Sequence, residues 1–158
     1  MSKHHQYKLT VKWTGNTSGG TKDYAAYERS HDIVVKGKKK LLGSSDSPFR
    51  GDKKKHCPED LLLASLSSCH MLWYLHLCAD EGILVLEYLD HAEGKMIQTS
   101  NGGGYFTEVI LNPVVVVSEQ SMVKKATELH KKANSLCFIA NSVKFSVYHK
   151  PQIIVANK

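Results

Sequence analysis

The stretch that decides the fold is Cys57-Pro58-Glu59-Asp60-Leu61-Leu62-Leu63-Ala64-Ser65-Leu66-Ser67-Ser68-Cys69-His70-Met71-Leu72-Trp73-Tyr74-Leu75-His76-Leu77-Cys78-Ala79-Asp80. It reads as one long helix with a cysteine near its middle. Pro58 suits the first helical position, where a missing N–H costs nothing. Glu59 and Asp60 complement the positive end of the helix dipole. Gly82 follows the last periodic residue and suits a C-terminal stop. A run of this length predicts a rod of roughly 35 Å at 1.5 Å per residue. Leu62, Leu66, Cys69, Trp73 and Leu77 form one apolar stripe, and Leu61, Ser65, Ser68, Leu72 and Leu75 a second. A helix apolar on more than one side is expected to be covered on more than one side. Ser, His and Cys break the run short of the ~20 apolar residues of a membrane span, so no membrane is expected as a partner.

Working outward, Tyr7–Trp13 alternates apolar and polar residues and predicts a half-buried strand. Asp32–Val35 and Lys39–Leu42 flank Lys36-Gly37-Lys38 as a hairpin. Residues 43–56 read as a long polar loop carrying Pro48, Arg50 and Gly51. Beyond the helix, Ile83–Leu89 is a strand that Asp90–Lys95 extends, and Asn101–Gly104 turns it back into Tyr105–Leu111 as an antiparallel pair. Pro113 argues for an edge or a bulge, and Val114–Val117 resumes the strand. Ser118 is the expected cap of a second helix whose stripe is Met122, Ala126, Leu129 and Ala133, ending near Asn134. A last strand, Val143–His149, is expected to stop before Pro151. This order favours an α+β fold over a wound parallel sheet.

The 158 residues suit a single domain, with strands and loop in 1–56 and the helical and remaining strand elements in 57–158. Apolar content of 42% and charged content of 23% are ordinary for a globular chain. Lys and Arg number 21 against 15 Asp and Glu, for a net charge of +6. That excess sits in Lys36–Lys40 and Lys53–Lys55, in an expected turn and loop, where solvated lysines explain it without nucleic acid. Only Arg29 and Arg50 are arginines, the residue type that holds a fixed, always-charged fork against an anion. Arg50 reads either as a loop-anchoring ion pair or as a second site arginine. No secretory leader is visible in the first residues, which fits a cytoplasmic protein with its cysteines as thiols. His70 and His76 do not form an i, i+4 metal pair, and His56 with Cys57 finds no second half of a zinc site.

Cys69 lies mid-helix and Cys137 just past the end of the second helix. Spacing alone leaves two readings open. One is a pair of small buried hydrophobes, which free cysteines ordinarily are. The other is an attacking thiol and a resolving thiol.

Pro58-Glu59-Asp60-Leu61-Leu62, Ser65-Leu66-Ser67-Ser68-Cys69-His70-Met71 and Cys137-Phe138-Ile139-Ala140-Asn141-Ser142-Val143 together resemble the family of osmotically inducible protein C and the organic hydroperoxide resistance proteins (OsmC/Ohr). The likeness runs from Trp13 to Val143 and points to an OsmC-like branch. It implies antiparallel sheets wrapped around two long helices, in an intertwined homodimer. It further implies a thiol-dependent peroxidase acting on organic hydroperoxides, with Cys69 peroxidatic, Cys137 resolving, and Glu59 and an arginine completing the site. Arg29 is the nearest match for that arginine and Arg50 its rival. The resemblance implies no metal, flavin or haem; the electrons come from an external dithiol, a dihydrolipoyl group or a small thiol. Cys57 stands where the family carries an asparagine, a poorer cap, which predicts a looser helix start.

The chemistry coheres with this. A free thiol is only a few per cent thiolate at neutral pH, and apolar burial makes the anion scarcer. A guanidinium at ~4 Å supplies about 4 kcal/mol at an effective dielectric near 20, and Glu59 is its natural bidentate partner. Ten helical residues put Glu59 about 15 Å along the axis from Cys69 and some 80° around it, so either an arginine bridges the two or the glutamate comes from a second chain. A fold kept without activity, as a stress or redox-sensing binding protein, is the alternative.

Overall fold

The computed structural model describes residues 3–157. Two compact units divide the chain, one up to Leu61 and one from Leu62 onward. In the first, β1 (Thr10–Trp13), β2 (His31–Val34) and β3 (Leu41–Gly43) form an antiparallel sheet in that order. The hairpin between β2 and β3 lies where the Lys36-Gly37-Lys38 turn places it. Strand β1 is shorter than expected and exposed along its whole length, not half-buried. Alternation in this strand marks apolar side chains that stay largely exposed: Val11 lies open, and Trp13 packs only edge-on to Tyr27 and donates from its indole to the carbonyl of Glu28.

The loop after β3 is ordered by its own backbone. Residues 47–49 make a single 3-10 turn capped by Asp46, whose carboxylate accepts from the N–H of Ser47. The N–H of Gly51 donates to the carbonyl of Asp46 at 3.1 Å. A Cβ on Gly51 would lie 1.5 Å from the carbonyl oxygen of Ser45, so only glycine closes this turn.

Helix α1 spans Pro58–Asp80, as its sequence predicts. Its start is not loose. The N–H of Cys57 donates to Asp60 Oδ2 (3.1 Å), and the N–H of Asp60 donates to Cys57 Sγ (3.4 Å). This is a reciprocal capping box with sulfur in place of a hydroxyl or amide oxygen. Burial raises the Cys57 thiol to about 11, which keeps it neutral and in place. At the other end Gly82, at φ +70, takes the left-handed position that stops the helix. Along α1 the fully buried residues are Leu66, His70, Tyr74, Leu77 and Cys78, a single stripe at i, i+4, i+8, i+11 and i+12. The expected second covered side is open: Leu72 is 63% exposed.

Three long strands follow, and each is broken at the same level. The first is β4 (Val85–Asp90) with β5 (Glu93–Gln98), the second β6 (Gly104–Leu111) with β7 (Pro113–Val117), the third β8 (Ser146–His149) with β9 (Gln152–Val155). The result is two three-stranded sheets, β4-β7-β9 and β5-β6-β8. Pro113 therefore opens a central strand, not an edge. It sits at the break, the one place in a central strand where a missing donor is harmless. Pro151 marks the break in the third strand, and the chain pairs again beyond it as β9, so the expected stop at Pro151 is only a kink. Asp90 pins the bend: its carboxylate accepts from the N–H of Asn112 at 2.7 Å and from the hydroxyl of Ser67 on α1. The sheets are mixed, not antiparallel as expected. β6 pairs with β8 and β7 with β9 in parallel, because the chain crosses through a helix before returning.

That helix, α2, spans Val123–Leu136 and is preceded by a 3-10 turn at Gln120–Met122. Ser118 does not cap it. Its hydroxyl lies 3.5 Å from the sulfur of Met122, and the turn begins only after Glu119. With 14 residues α2 is short beside α1. Two cores result. Tyr74, Leu77 and Cys78 pack with Val115, Val117, Ala126, Leu129 and Ala133 around the β4-β7-β9 sheet. Leu66 packs with Val109 and Leu111 around β5-β6-β8. The class is α+β with two helices and small sheets.

Candidate functional site

Cys69 is three residues past Leu66, on the flank of the buried stripe of α1, and is half-buried. Cys137 is the C-cap of α2 and is 1% exposed. Packing α1 against the end of α2 brings together two side chains that are remote in sequence, and Cys69 lies near enough to act on the Cys137 thiol. Burial pushes the Cys137 thiol up to about 11, and the Cys69 neighbour adds to the rise. Its sulfur accepts from the N–H of Ala140 at 3.3 Å, which fixes it over the turn that follows α2. The pair is asymmetric: Cys69 is half-buried, and Cys137 is sheltered and protonated at neutral pH. Both are free thiols. Phe138 stands beside them, 68% exposed and edge-on to Trp73 with ring centroids 5.8 Å apart. The surface next to Cys69 is thus aromatic and open.

Glu59 and Arg29 both belong to the N-terminal unit. Glu59, second residue of α1, borders a cleft of about 280 Å³ together with Asp46, Asp52, Lys53, Lys55 and Asp60. Arg29 is held elsewhere. Its guanidinium lies 4.2 Å from the ring centroids of both Tyr24 and Tyr27, and donates to the carbonyls of Tyr27 (2.5 Å) and Tyr24 (2.7 Å). Two ring faces and two carbonyl dipoles satisfy the charge. Among the described residues Arg29 and Glu59 form no ion pair, so the expected bidentate partnership is not made within the protomer.

Arg50 takes a left-handed backbone (φ +63) at the end of the 3-10 turn. It shares with Arg29 a cleft of about 270 Å³ that Glu28 and Asp52 also line. It makes no ion pair among the described residues. The loop is anchored by backbone hydrogen bonds, not by the arginine side chain. The lysine runs behave as solvated loop charges, with Lys40 on Asp32 (2.7 Å) and Lys55 on Asp52 (3.2 Å).

The sequence sets His70 aside only as a metal ligand paired with His76, and gives no role to His130 and His149. The structure brings all three rings together. The signal for His130 was present: it falls on the buried stripe of α2 beside Leu129 and between Ala126 and Ala133, where a polar residue demands a partner. His149, on a strand remote in sequence, carried none. Among the described residues no group of three or more His, Cys, Asp or Glu side chains is arranged to hold a metal ion.

Comparison with known proteins gives a consistent picture. A family model described as OsmC-like protein matches residues 51–151. An OsmC-like protein of unknown function from Vibrio cholerae is 33% identical, with 96% of this chain and 100% of that one covered and a TM-score of 0.82. An organic hydroperoxide resistance protein from Elizabethkingia anophelis, 18% identical over 98% of this chain and 100% of its own, has a TM-score of 0.68. The organic hydroperoxide resistance protein OhrB of Bacillus subtilis, 17% identical over 94% and 98%, has a TM-score of 0.61. At these last two identities the likeness is one of fold. No curated protein matches the chain.

Proposed function

The chain belongs to the OsmC-like protein family, and from that premise we propose that it is a thiol-dependent peroxidase for organic hydroperoxides. The observation that carries the reading is the proximity of half-buried Cys69 to buried Cys137, close enough for the one to raise the other's pKa. The Cys69 thiolate attacks one peroxide oxygen. An S–O bond forms, the O–O bond breaks, and the departing alkoxide takes a proton to become the alcohol. The resulting Cys69 sulfenic acid meets the Cys137 thiol; the disulfide closes and water leaves. An external dithiol then returns two electrons and two protons, and is itself oxidised to a disulfide. A dihydrolipoyl group or a small thiol fits this role, and the cytoplasm supplies such reductants.

Arg29 keeps the Cys69 sulfur anionic in this scheme, and Glu59 orients the guanidinium. Glu59 is about 15 Å along the axis of α1 from Cys69, so the carboxylate that serves a given sulfur comes from a second copy of the chain. A homodimer also covers the face of α1 on which Leu72 lies open. The exposed aromatic surface of Phe138 and Trp73 suits the apolar tail of an organic hydroperoxide better than hydrogen peroxide.

One observation favours a second reading, a redox-responsive binding protein on the same fold: Arg29 is already engaged by Tyr24 and Tyr27. Stopped-flow reaction of the reduced protein with cumene hydroperoxide and with hydrogen peroxide separates the two. The peroxidase reading expects fast turnover with a marked preference for the bulky peroxide, abolished in Cys69→Ser. Wild-type protein no faster than Cys69→Ser refutes it.

A further inference from the structure

His70 follows Cys69 on α1, and His130 lies two turns before Cys137 on α2. They are 1% and 0% exposed. Their rings meet edge to edge, with centroids 5.2 Å apart and planes only 10° apart, and His70 Nε2 shares a hydrogen bond of 2.9 Å with His130 Nδ1. His149 of β8 stacks with both, at 5.6 and 6.2 Å, and Tyr74 stacks on His130 at 3.8 Å. A hydrogen bond between two imidazoles needs one N–H donor and one bare nitrogen. The pair is therefore a link that depends on protonation state, made between the same two helices that carry Cys69 and lead into Cys137.

The surroundings offer no home for positive charge. Tyr74 of α1 lies on His130, Tyr88 of β4 lies beside Tyr74, and Asn134 of α2 borders the same cavity as His149. Glu108 and Lys150 border His149 only where a cavity of about 610 Å³ opens beside it. Among the described residues no carboxylate is paired with His70, His130 or His149. His70 Nδ1, His130 Nε2 and His149 Nδ1 find no hydrogen-bond partner there either. A proton arriving on one ring gains no counter-ion and faces two more basic rings. Burial accordingly holds His70 down to about 4 and His130 to about 3, and lowers His149 as well.

We propose that the His70–His130 pair is a positioning device for the two cysteines: it clamps α1 to α2 while both rings are neutral, and acid releases the clamp and parts Cys69 from Cys137. The inference rests on the reading of these cysteines as an attacking and resolving pair. His70 and His130 are positioning residues, since neither is shown to touch a sulfur.

The test reads the disulfide itself, without peroxide. Reduced protein is equilibrated with oxidised dithiothreitol, which takes two electrons and two protons as the Cys69–Cys137 bond forms, and the bond is quantified by thiol trapping and mass spectrometry between pH 8 and pH 3, with circular dichroism confirming that the protein stays folded. In the wild type the equilibrium constant is expected to hold down to about pH 5 and to fall about tenfold or more between pH 5 and pH 3, as the rings protonate, the effect of at least one pK unit of coupling. In the double variant His70→Gln, His130→Gln the paired amides keep a donor and an acceptor but do not titrate, and the fall is expected to be under about threefold. Parallel curves for the two proteins overturn the proposal. If the double variant does not fold, the wild type decides alone by proton NMR titration of its imidazole Cε1–H signals. A disulfide lost in step with ring protonation supports the clamp, and one lost while both rings remain neutral overturns it. A protein that shows the pH-dependent disulfide but does not turn over cumene hydroperoxide keeps the clamp and loses the peroxidase reading, so the two failures are distinguishable.

Discussion

Acid should destabilise this protein well before its carboxylates protonate. The perturbation is a drop from pH 7.5 to pH 5. His70 and His130 have an ordinary value near 6.5, and burial lowers them to about 4 and about 3 in the folded chain. The unfolded chain therefore binds more protons than the folded one throughout this window, so stability rises with pH. The contribution is fully present above about pH 6.5 and is lost progressively as pH falls toward the folded values. At pH 5 both rings stay neutral when folded and are almost wholly protonated when unfolded. Each then costs about 2 kcal/mol, which is RT times the logarithm of a roughly thirtyfold binding polynomial. The two together cost about 4 kcal/mol, a large part of a typical domain stability of about 5–15 kcal/mol. His149, shifted the same way, adds to the loss. Urea unfolding at pH 7.5, 6 and 5, followed by the fluorescence of Trp13 and Trp73 and by circular dichroism, measures it. His130→Gln should recover about half of the pH-dependent loss, since one titrating ring is gone. Stability that changes by less than about 1 kcal/mol between pH 7.5 and 5, or a variant with the full wild-type slope, refutes the account of three imidazoles held neutral by burial.

Other outcomes follow from the same packing. Cys57→Ala removes the sulfur that accepts from the N–H of Asp60, and should lower stability by about 1 kcal/mol, read as a fall in melting temperature, while Cys57→Asn restores it; an alanine variant as stable as wild type shows the sulfur cap to be inert. Leu66→Ala empties a site with no exposure in the second core and should cost about 3–5 kcal/mol in urea unfolding; a loss under about 1 kcal/mol means the site collapses or is not a core.

The long helix was legible because its determinants are local. Pro58 at its first position, acids in its first turn and Gly82 at its stop all act within a few residues, and α1 has the bounds they imply. The hairpin around Gly37 and the α+β class follow from the same short-range chemistry, and the two cysteine stretches carried the family. Even locally one element was misread: Cys57 lacks the oxygen of a usual cap, yet its sulfur and the Asp60 carboxylate close the box.

Tertiary structure alone decided the rest. Pro113 reads as an edge or a bulge in the sequence, but its setting, at the break of a central strand, depends on β4 and β9 breaking at the same level. The parallel pairings depend on where the chain re-enters after α2, which no local pattern encodes. Arg29 reads as a partner for Glu59 until Tyr24 and Tyr27 are folded around it. His70, His130 and His149 read as unrelated residues until α1, α2 and β8 bring their rings together. A residue's intrinsic preferences are written in its neighbours along the chain, whereas its charge state and partners are set by what packs against it from elsewhere.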